Sequence, residues 1–356
     1  MALSSLKKLV TNYLAIDMGT ANTVIAVRGR DVVVDEPSLV AVSETKDEIV
    51  AVGIEAAEMR GREGRDIVVV APLSAGVVAD YEKTKHMLAS FVKKAKSGGS
   101  QVTREAVLSV LSDITHVEQR AMLNAAEESG IGKVYMVEEG LAAAFGVGVD
   151  PADKRASAVV DIGSASTNIA VVTKGVISHS KSERLGSDEI NEAITLHIKR
   201  NLGLQIGTET AEEIKRNFVS AVVPEDLEAE MQVRGRDLQT GSPHAVTITA
   251  GEVYPIAERI VRRIAEVVKD TLTELRPEIA ADIYDRGIVL TGGGALLRDV
   301  DKYIREFIDL SVIIPDEPRY ASVRGLLKMF DVPEHLERVA RNEPGILADS
   351  EVSFET

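Results

Sequence analysis

The chain has 356 residues, a formal charge of −15 at pH 7, no Cys or Trp, and a composition that is 45% hydrophobic but only 4% aromatic. That length and balance describe a soluble chain of two domains with cores built mainly from aliphatic side chains. The missing Cys excludes disulfides, thiol nucleophiles and Cys-ligated metal sites, and the acidic balance excludes nucleic acid as a main partner, because phosphate neutralisation needs a basic surface.

The first ten residues, MALSSLKKLV, set Leu3, Leu6, Leu9 and Val10 at helical spacing beside Lys7 and Lys8. This pattern suits a short amphipathic helix lying on an anionic membrane, and equally a simple lead-in to the first strand. No apolar run approaches the roughly 18 residues of a membrane span, and the N-terminus lacks a signal-peptide core, so the expected location is the cytoplasm.

Residues 15–27, AIDMGTANTVIAV, are echoed by residues 159–171, VVDIGSASTNIAV, at a constant offset of 144. Asp17 matches Asp161, Gly19 matches Gly163, Ala21 matches Ala165 and Thr23 matches Thr167. The interval is too long for a solenoid repeat and points to two related domains that open with the same β-hairpin. In each copy an apolar strand ends in Asp, and a short turn leads into a second β-branched strand. Gly19 and Gly163 let backbone N–H groups approach an anion, and Thr20, Thr23, Ser164, Ser166 and Thr167 add hydroxyls. Asp17 and Asp161 suit Mg²⁺, which keeps several waters and takes one or two carboxylates.

Further along, Glu138 and Glu139 read as an acidic helix start, and Glu212 and Lys215, three apart, share one helix face. Arg234-Gly-Arg236 is expected in a polar hairpin turn, and residues 251–275 form a long amphipathic helix with Arg262 and Arg263 on its solvated face. Near the end, Ile288–Leu290 reads as a buried strand, Gly292-Gly293-Gly294 as a turn, and the sequence from Ala295 as a helix. That arrangement fits either an anion cradle or a close-packed strand–helix turn. It matches neither the P-loop nor the dinucleotide fingerprint. The six histidines never take metal-ligand spacing, so no transition metal is expected. DVPEHLERVARNEP predicts a short helix, and residues 341–356 form an acidic tail, either solvated or a partner-binding peptide anchored by Ile346, Leu347 and Phe354.

Two D-x-G-[ST] hairpins followed by a strand, a triple glycine and a helix resemble the actin-like ATPase superfamily, which includes heat-shock chaperones and sugar kinases. Within it the blocks IDMGTANTVIAVRG, DEPSLVAV, APLSAGVVADYEKTKHML, VEEGLAAAFGVGV, TAEEIKRNF, VRGRDLQTG and DRGIVLTGGGALLRDVDKYI resemble the MreB family in order, over about residues 11–330. The resemblance implies an α/β actin-like fold, with two duplicated RNase H-like domains around a nucleotide cleft, each carrying a small inserted subdomain. It implies a first large subdomain of residues 11–34, 75–150 and 315–340 with insert 35–74. The second takes 151–183 and 253–314, with insert 184–252.

It also implies roles. Asp17, Gly19, Thr20, Ala21 and Asn22 correspond to the first phosphate loop, and Asp161, Gly163, Ser164, Ala165 and Ser166 to the second. Gly292, Gly293 and Gly294 correspond to the adenosine loop, Glu212 and Lys215 to the pair that contacts ribose and base, and Glu139 to the glutamate that polarises the attacking water. Asp161 joins Glu139 in the catalytic set, and Asp17 and Asp161 would hold Mg²⁺ through water. The implied cofactors are ATP or ADP with Mg²⁺. The implied partners are further copies of the chain in paired protofilaments, the inner-membrane surface and membrane proteins of cell-wall synthesis.

Where the family commonly has DIGGGT, this chain has Asp161-Ile-Gly-Ser-Ala-Ser166, and Ala165 is costly if its position requires positive φ. Gly140 follows Glu139 where Pro is usual, and the stretch Lys96-Ser-Gly-Gly-Ser-Gln101 replaces an apolar loop that anchors some relatives. The expectation is therefore a filament-forming, ATP-hydrolysing protein of cell shape. A MamK-like organelle-positioning filament is the alternative, and a small-molecule kinase of the same fold is the rival from another class.

Overall fold

The structure, a computed structural model, describes residues 11–96 and 102–341. The described residues up to Gly146 form one unit together with those from Val323 onward, and Val147–Ser322 form a second.

In the first unit, β1 (Thr11–Met18), β2 (Asn22–Val27) and β3 (Asp31–Pro37) run as an antiparallel meander. A small antiparallel sheet follows, with β4 (Val40–Ser43) between β5 (Glu48–Val52) and β6 (Ile67–Val70). A tight hairpin of β7 (Leu73–Ser74) and β8 (Val77–Val78) leads into the helix Tyr81–Lys96. The chain then returns through β9 (Val102–Val110), parallel to β1, and β10 (Ile131–Glu138), parallel to β9. The large sheet is thus ordered β10-β9-β1-β2-β3. Leu14, Ala15 and Ile16 are consecutive in β1 and all buried, which is the signature of a strand covered on both faces. Met87, Leu88 and Phe91 of the Tyr81–Lys96 helix and Met122 of the helix His116–Glu128 pack into the same core. The latter helix starts on a capping box, with Thr115 and Glu118 each satisfying the other's backbone N–H.

The second unit repeats this plan. β11 (Ser157–Ile162), β12 (Thr167–Thr173) and β13 (Val176–Glu183) form the meander. A small antiparallel sheet of β14 (Leu204–Gln205), β15 (Glu230–Asp237) and β16 (Pro243–Thr249) accompanies the helices Asp188–Asn201 and Thr208–Phe218. The helix Ala250–Thr273 lies over the meander, and β17 (Ile288–Thr291) and β18 (Val312–Ile313) add in parallel beside β11. The order β13-β12-β11-β17-β18 mirrors the first sheet strand for strand. The hairpin registers agree as well. Asp17 pairs with Val24 and Met18 with Thr23, as Asp161 pairs with Asn168 and Ile162 with Thr167.

Several details differ from the sequence expectations. Arg234 and Arg236 lie within β15 and not in a turn, and Gly235 between them is required because a Cβ there would come within 2.3 Å of the Gln205 carbonyl oxygen. The triple glycine does not open directly into an α-helix. Gly293–Leu296 is a 3₁₀ turn and the α-helix begins only at Val300, after Asp299 in the left-handed region. Residues 315–322 fall in the second unit, where Pro318 O accepts from Gly292 N at 3.0 Å. Among the described residues no helix is long and apolar enough to cross a membrane. Leu3, Leu6, Leu9 and Val10, the loop 97–101 and the tail from residue 342 lie outside the described residues.

Candidate nucleotide site

At the tip of the first hairpin, Gly19 is demanded by close approach, since a Cβ would stand 2.7 Å from the Asn22 carbonyl oxygen. The loop is held from outside. Ser38 donates its hydroxyl to Gly19 O at 2.7 Å and its N–H to Ala21 O at 2.8 Å. Gly76 N–H donates to the Thr20 hydroxyl at 2.8 Å, and the Asn22 amide donates to Asp35 at 2.9 Å. Asp17 accepts from the Ser109 hydroxyl at 2.6 Å. Burial pushes the Asp17 carboxyl above its ordinary value, although the Ser109 hydrogen bond works the other way. A nearby cation would offset that cost.

The second hairpin closes through Gly163 N–H donating to Ser166 O at 2.8 Å. Its loop rests on the start of the Asp188–Asn201 helix, where Ser187 N donates to Gly163 O and Asp188 N to Ser164 O. Gly186 must lack a side chain, because a Cβ would meet Ser164 O at 2.3 Å. Ala165 is not among the residues with positive φ, so the missing glycine carries no backbone strain. Asp161 is only 4% exposed, and it accepts from Thr291 Oγ1 at 2.8 Å and Ser322 Oγ at 3.5 Å.

The three glycines of the third loop are not alike. Gly292 has φ 82° and lies where a Cβ would meet Ile162 O at 2.4 Å and Asp161 Oδ1 at 2.6 Å. A Cβ on Gly294 would collide with Ile162 Cγ2 at 2.3 Å. Gly293 is exposed, and a Cβ there would meet nothing within 4 Å. Packing explains two of the glycines. The third leaves bare backbone facing open space, as a loop that lets a ligand approach closely requires.

Glu212 and Lys215 face each other on one side of the Thr208–Phe218 helix at 2.6 Å, with Lys215 buried. Burial opposes ionisation of Glu212, but the Lys215 ammonium and the Asn191 amide, at 2.8 Å, outweigh it and hold the carboxyl below its ordinary value. Lys215 also reaches Ser187 O at 3.4 Å, which ties this pair to the same helix start that supports the second hairpin. Asn191 Oδ1 is buried without a partner.

Glu138 is the last residue of β10 and Glu139 the first of the helix Glu139–Gly146, so the two acidic residues straddle a strand–helix corner. Ser109 and Thr291 were not singled out in the sequence. Each stands on the parallel strand beside an aspartate-bearing strand and donates to that aspartate. The signal was present as a hydroxyl residue directly after a Val-Leu pair, VLS in one copy and VLT in the other.

Each hairpin thus offers a carboxylate and a tight turn of backbone donors and hydroxyls, a chemistry suited to phosphate and its counter-cation. Among the described residues no group of three or more carboxylates and histidines is placed to cage a metal. Lone carboxylates such as Asp17 and Asp161 fit Mg²⁺, which takes most of its ligands from water and phosphate.

The comparisons agree with this geometry. The family model described as MreB/Mbl protein matches residues 11–338. The cell shape-determining protein MreB of Haemophilus influenzae is 39% identical over 93% of this chain and 97% of its own length. The cell shape-determining protein Mbl of Bacillus subtilis is 38% identical over 91% and 97%. Among solved structures, MreB5 of Spiroplasma citri bound to ADP superposes with a TM-score of 0.85 at 30% identity, covering 92% of this chain and 98% of that one. The same protein bound to AMPPNP gives the same values. The MamK double helical filament, at 22% identity and a TM-score of 0.76, shares the actin-like fold.

Proposed function

The chain belongs to the MreB/Mbl family of cell shape-determining actin homologues, and on that premise we propose that it binds and hydrolyses ATP and assembles into filaments with its own copies. The observation that carries the nucleotide reading is the repeated hairpin. Two aspartates at the same register position, each fixed by a hydroxyl from the parallel neighbour strand, end in turns of the same build.

In this reading the turns at Gly19–Asn22 and Gly163–Ser166 supply backbone and hydroxyl donors to phosphate oxygens, and the open backbone at Gly293 admits the nucleoside. Glu212 and Lys215 contact the sugar and base. Asp17 and Asp161 are the carboxylates that would hold Mg²⁺, which would supply neutralisation of phosphate charge when bound. Glu139 orients a water for in-line attack and accepts its proton. Phosphoryl transfer needs positioning and electrostatics more than covalent help, and rigid, pre-hydrogen-bonded loops supply both.

The relatives' names support a role in cell shape, and ADP and AMPPNP are bound by the Spiroplasma citri structures. Peripheral association with the inner membrane through Leu3, Leu6, Leu9 and Val10 belongs to the same proposal, with avidity along a polymer compensating for a weak single anchor. Calorimetric titration of the purified chain with ADP and AMPPNP, with and without Mg²⁺, tests the nucleotide reading. Saturable one-site binding strengthened by Mg²⁺ is expected. Absence of heat with both nucleotides would overturn it.

A further inference from the structure

The stretch that follows the last short helix, Pro333–Val339, does not leave the molecule. Arg341 lies beyond the residues matched by the family model, which end at 338, yet it is fixed at four points. Its N–H donates to Met136 O at 2.8 Å, and its own carbonyl accepts from the Gln119 amide at 3.1 Å. Its guanidinium reaches Ser112 O at 3.0 Å and Glu138 Oε1 at 2.5 Å. Gln119 itself is buried, and the Arg341 and Glu138 side chains are 32% and 18% exposed. Glu138 Oε2 is buried without a hydrogen-bond partner, so the guanidinium on Oε1 is what compensates this carboxylate.

These contacts converge on one corner. Met136 is three residues and Glu138 one residue before Glu139, while Ser112 follows the end of β9, the strand that β10 pairs with. One guanidinium nitrogen, Nη2, donates to both strand ends, to Ser112 O and to Glu138 Oε1, and so bridges them. We infer that Arg341 is a positioning residue for hydrolysis, setting the β10–helix corner so that Glu139 is held at the reacting water. A segment outside the family-wide match is thereby wired to the hydrolytic step.

This rests on the reading of Glu139 as the group that orients water, so the test separates the two. Phosphate release and ADP affinity are measured on the full chain as wild type, Glu139→Gln, Arg341→Ala, Arg341→Lys, Glu138→Gln and the Arg341→Ala/Glu138→Gln double variant. Glu139→Gln should abolish hydrolysis while ADP affinity stays unchanged. If it does not, the reading of Glu139 fails whatever Arg341 does. Arg341→Ala should lower kcat on the order of 10-fold or more, the scale that displacement of a reacting group produces. KM and ADP affinity should stay within twofold, and Arg341→Lys should be intermediate. The double variant should lose no more than Arg341→Ala alone, as coupled partners do. A merely structural arginine would shift the melting midpoint and leave kcat per folded molecule unchanged. That result, or additive losses in the double variant, would overturn the inference. Should Arg341→Ala not fold, the Lys and Glu138→Gln variants decide: unchanged kcat in both contradicts it.

Discussion

The Thr291 hydroxyl donates to Asp161 Oδ2 at 2.8 Å from the strand that runs parallel to the one carrying Asp161. Ser109 makes the equivalent contact to Asp17 at 2.6 Å in the other unit. The duplicated hairpins therefore share a fixed carboxylate as well as a sequence pattern. Removing the hydroxyl in Thr291→Val takes a donor from a carboxylate that is almost fully buried. The expected loss is about 1–3 kcal/mol of stability, read as a lower urea midpoint with an unchanged slope. An unchanged midpoint would mean that Asp161 has another source of support.

Asp17 gives a pH signature. Its folded pKa is raised above the ordinary 3.8, so between those two values the folded state holds more of the proton than the unfolded state does. Stability from this group is therefore greatest below the ordinary value and falls as pH rises through the folded pKa. Asp17→Asn removes that decline, keeps an acceptor for Ser109, and should raise the melting midpoint of the nucleotide-free protein at neutral pH while weakening Mg²⁺-dependent nucleotide binding. A lower midpoint for the variant would contradict the assignment of burial as the cause.

The triple glycine separates packing from binding. Gly294→Ala and Gly292→Ala meet the Ile162 side chain and backbone or require positive φ, and both should lower stability by several kcal/mol. Gly293→Ala has open space and should fold with an unchanged melting midpoint. Its expected defect is weaker nucleotide affinity, measured by the same calorimetry. Equal affinity in Gly293→Ala would show that this backbone is not approached by the ligand.

Glu212 has the opposite pH sign from Asp17. Its folded pKa lies below the ordinary 4.5, with burial outweighed by Lys215 and Asn191. Its contribution is present above that ordinary value and is lost as pH falls through the folded pKa. Glu212→Gln should flatten the acid side of the stability profile, followed by circular dichroism, and should reduce affinity for ATP more than for inorganic triphosphate. Equal losses for both ligands would remove this pair from the nucleoside end of the site.

Much of this was legible in the sequence because a repeated constraint leaves a repeated pattern. The offset between Asp17 and Asp161 became the same strand order and the same register in two sheets. What escaped depends on tertiary neighbours. Ser109 and Thr291 are ordinary strand residues until the parallel pairing sets them beside the aspartates. The helix expected at Ala295 was delayed to Val300, because Gly294 packs on Ile162 and the chain turns through a 3₁₀ segment before it can continue. Ala165 looked strained against the family's glycine, but its backbone avoids positive φ. Arg341 read as the first residue of an acidic tail, and only its contacts with Ser112, Gln119 and Glu138 place it at the corner between β10 and the helix that follows.

The central claim, a nucleotide-driven filament, is tested most directly by high-speed sedimentation with ATP, ADP or no nucleotide, following phosphate release in the same tubes. The expected result is ATP-dependent pelleting accompanied by phosphate release, with Glu139→Gln pelleting but releasing none. Protein that stays in the supernatant with every nucleotide across salt, Mg²⁺ and concentration would contradict it.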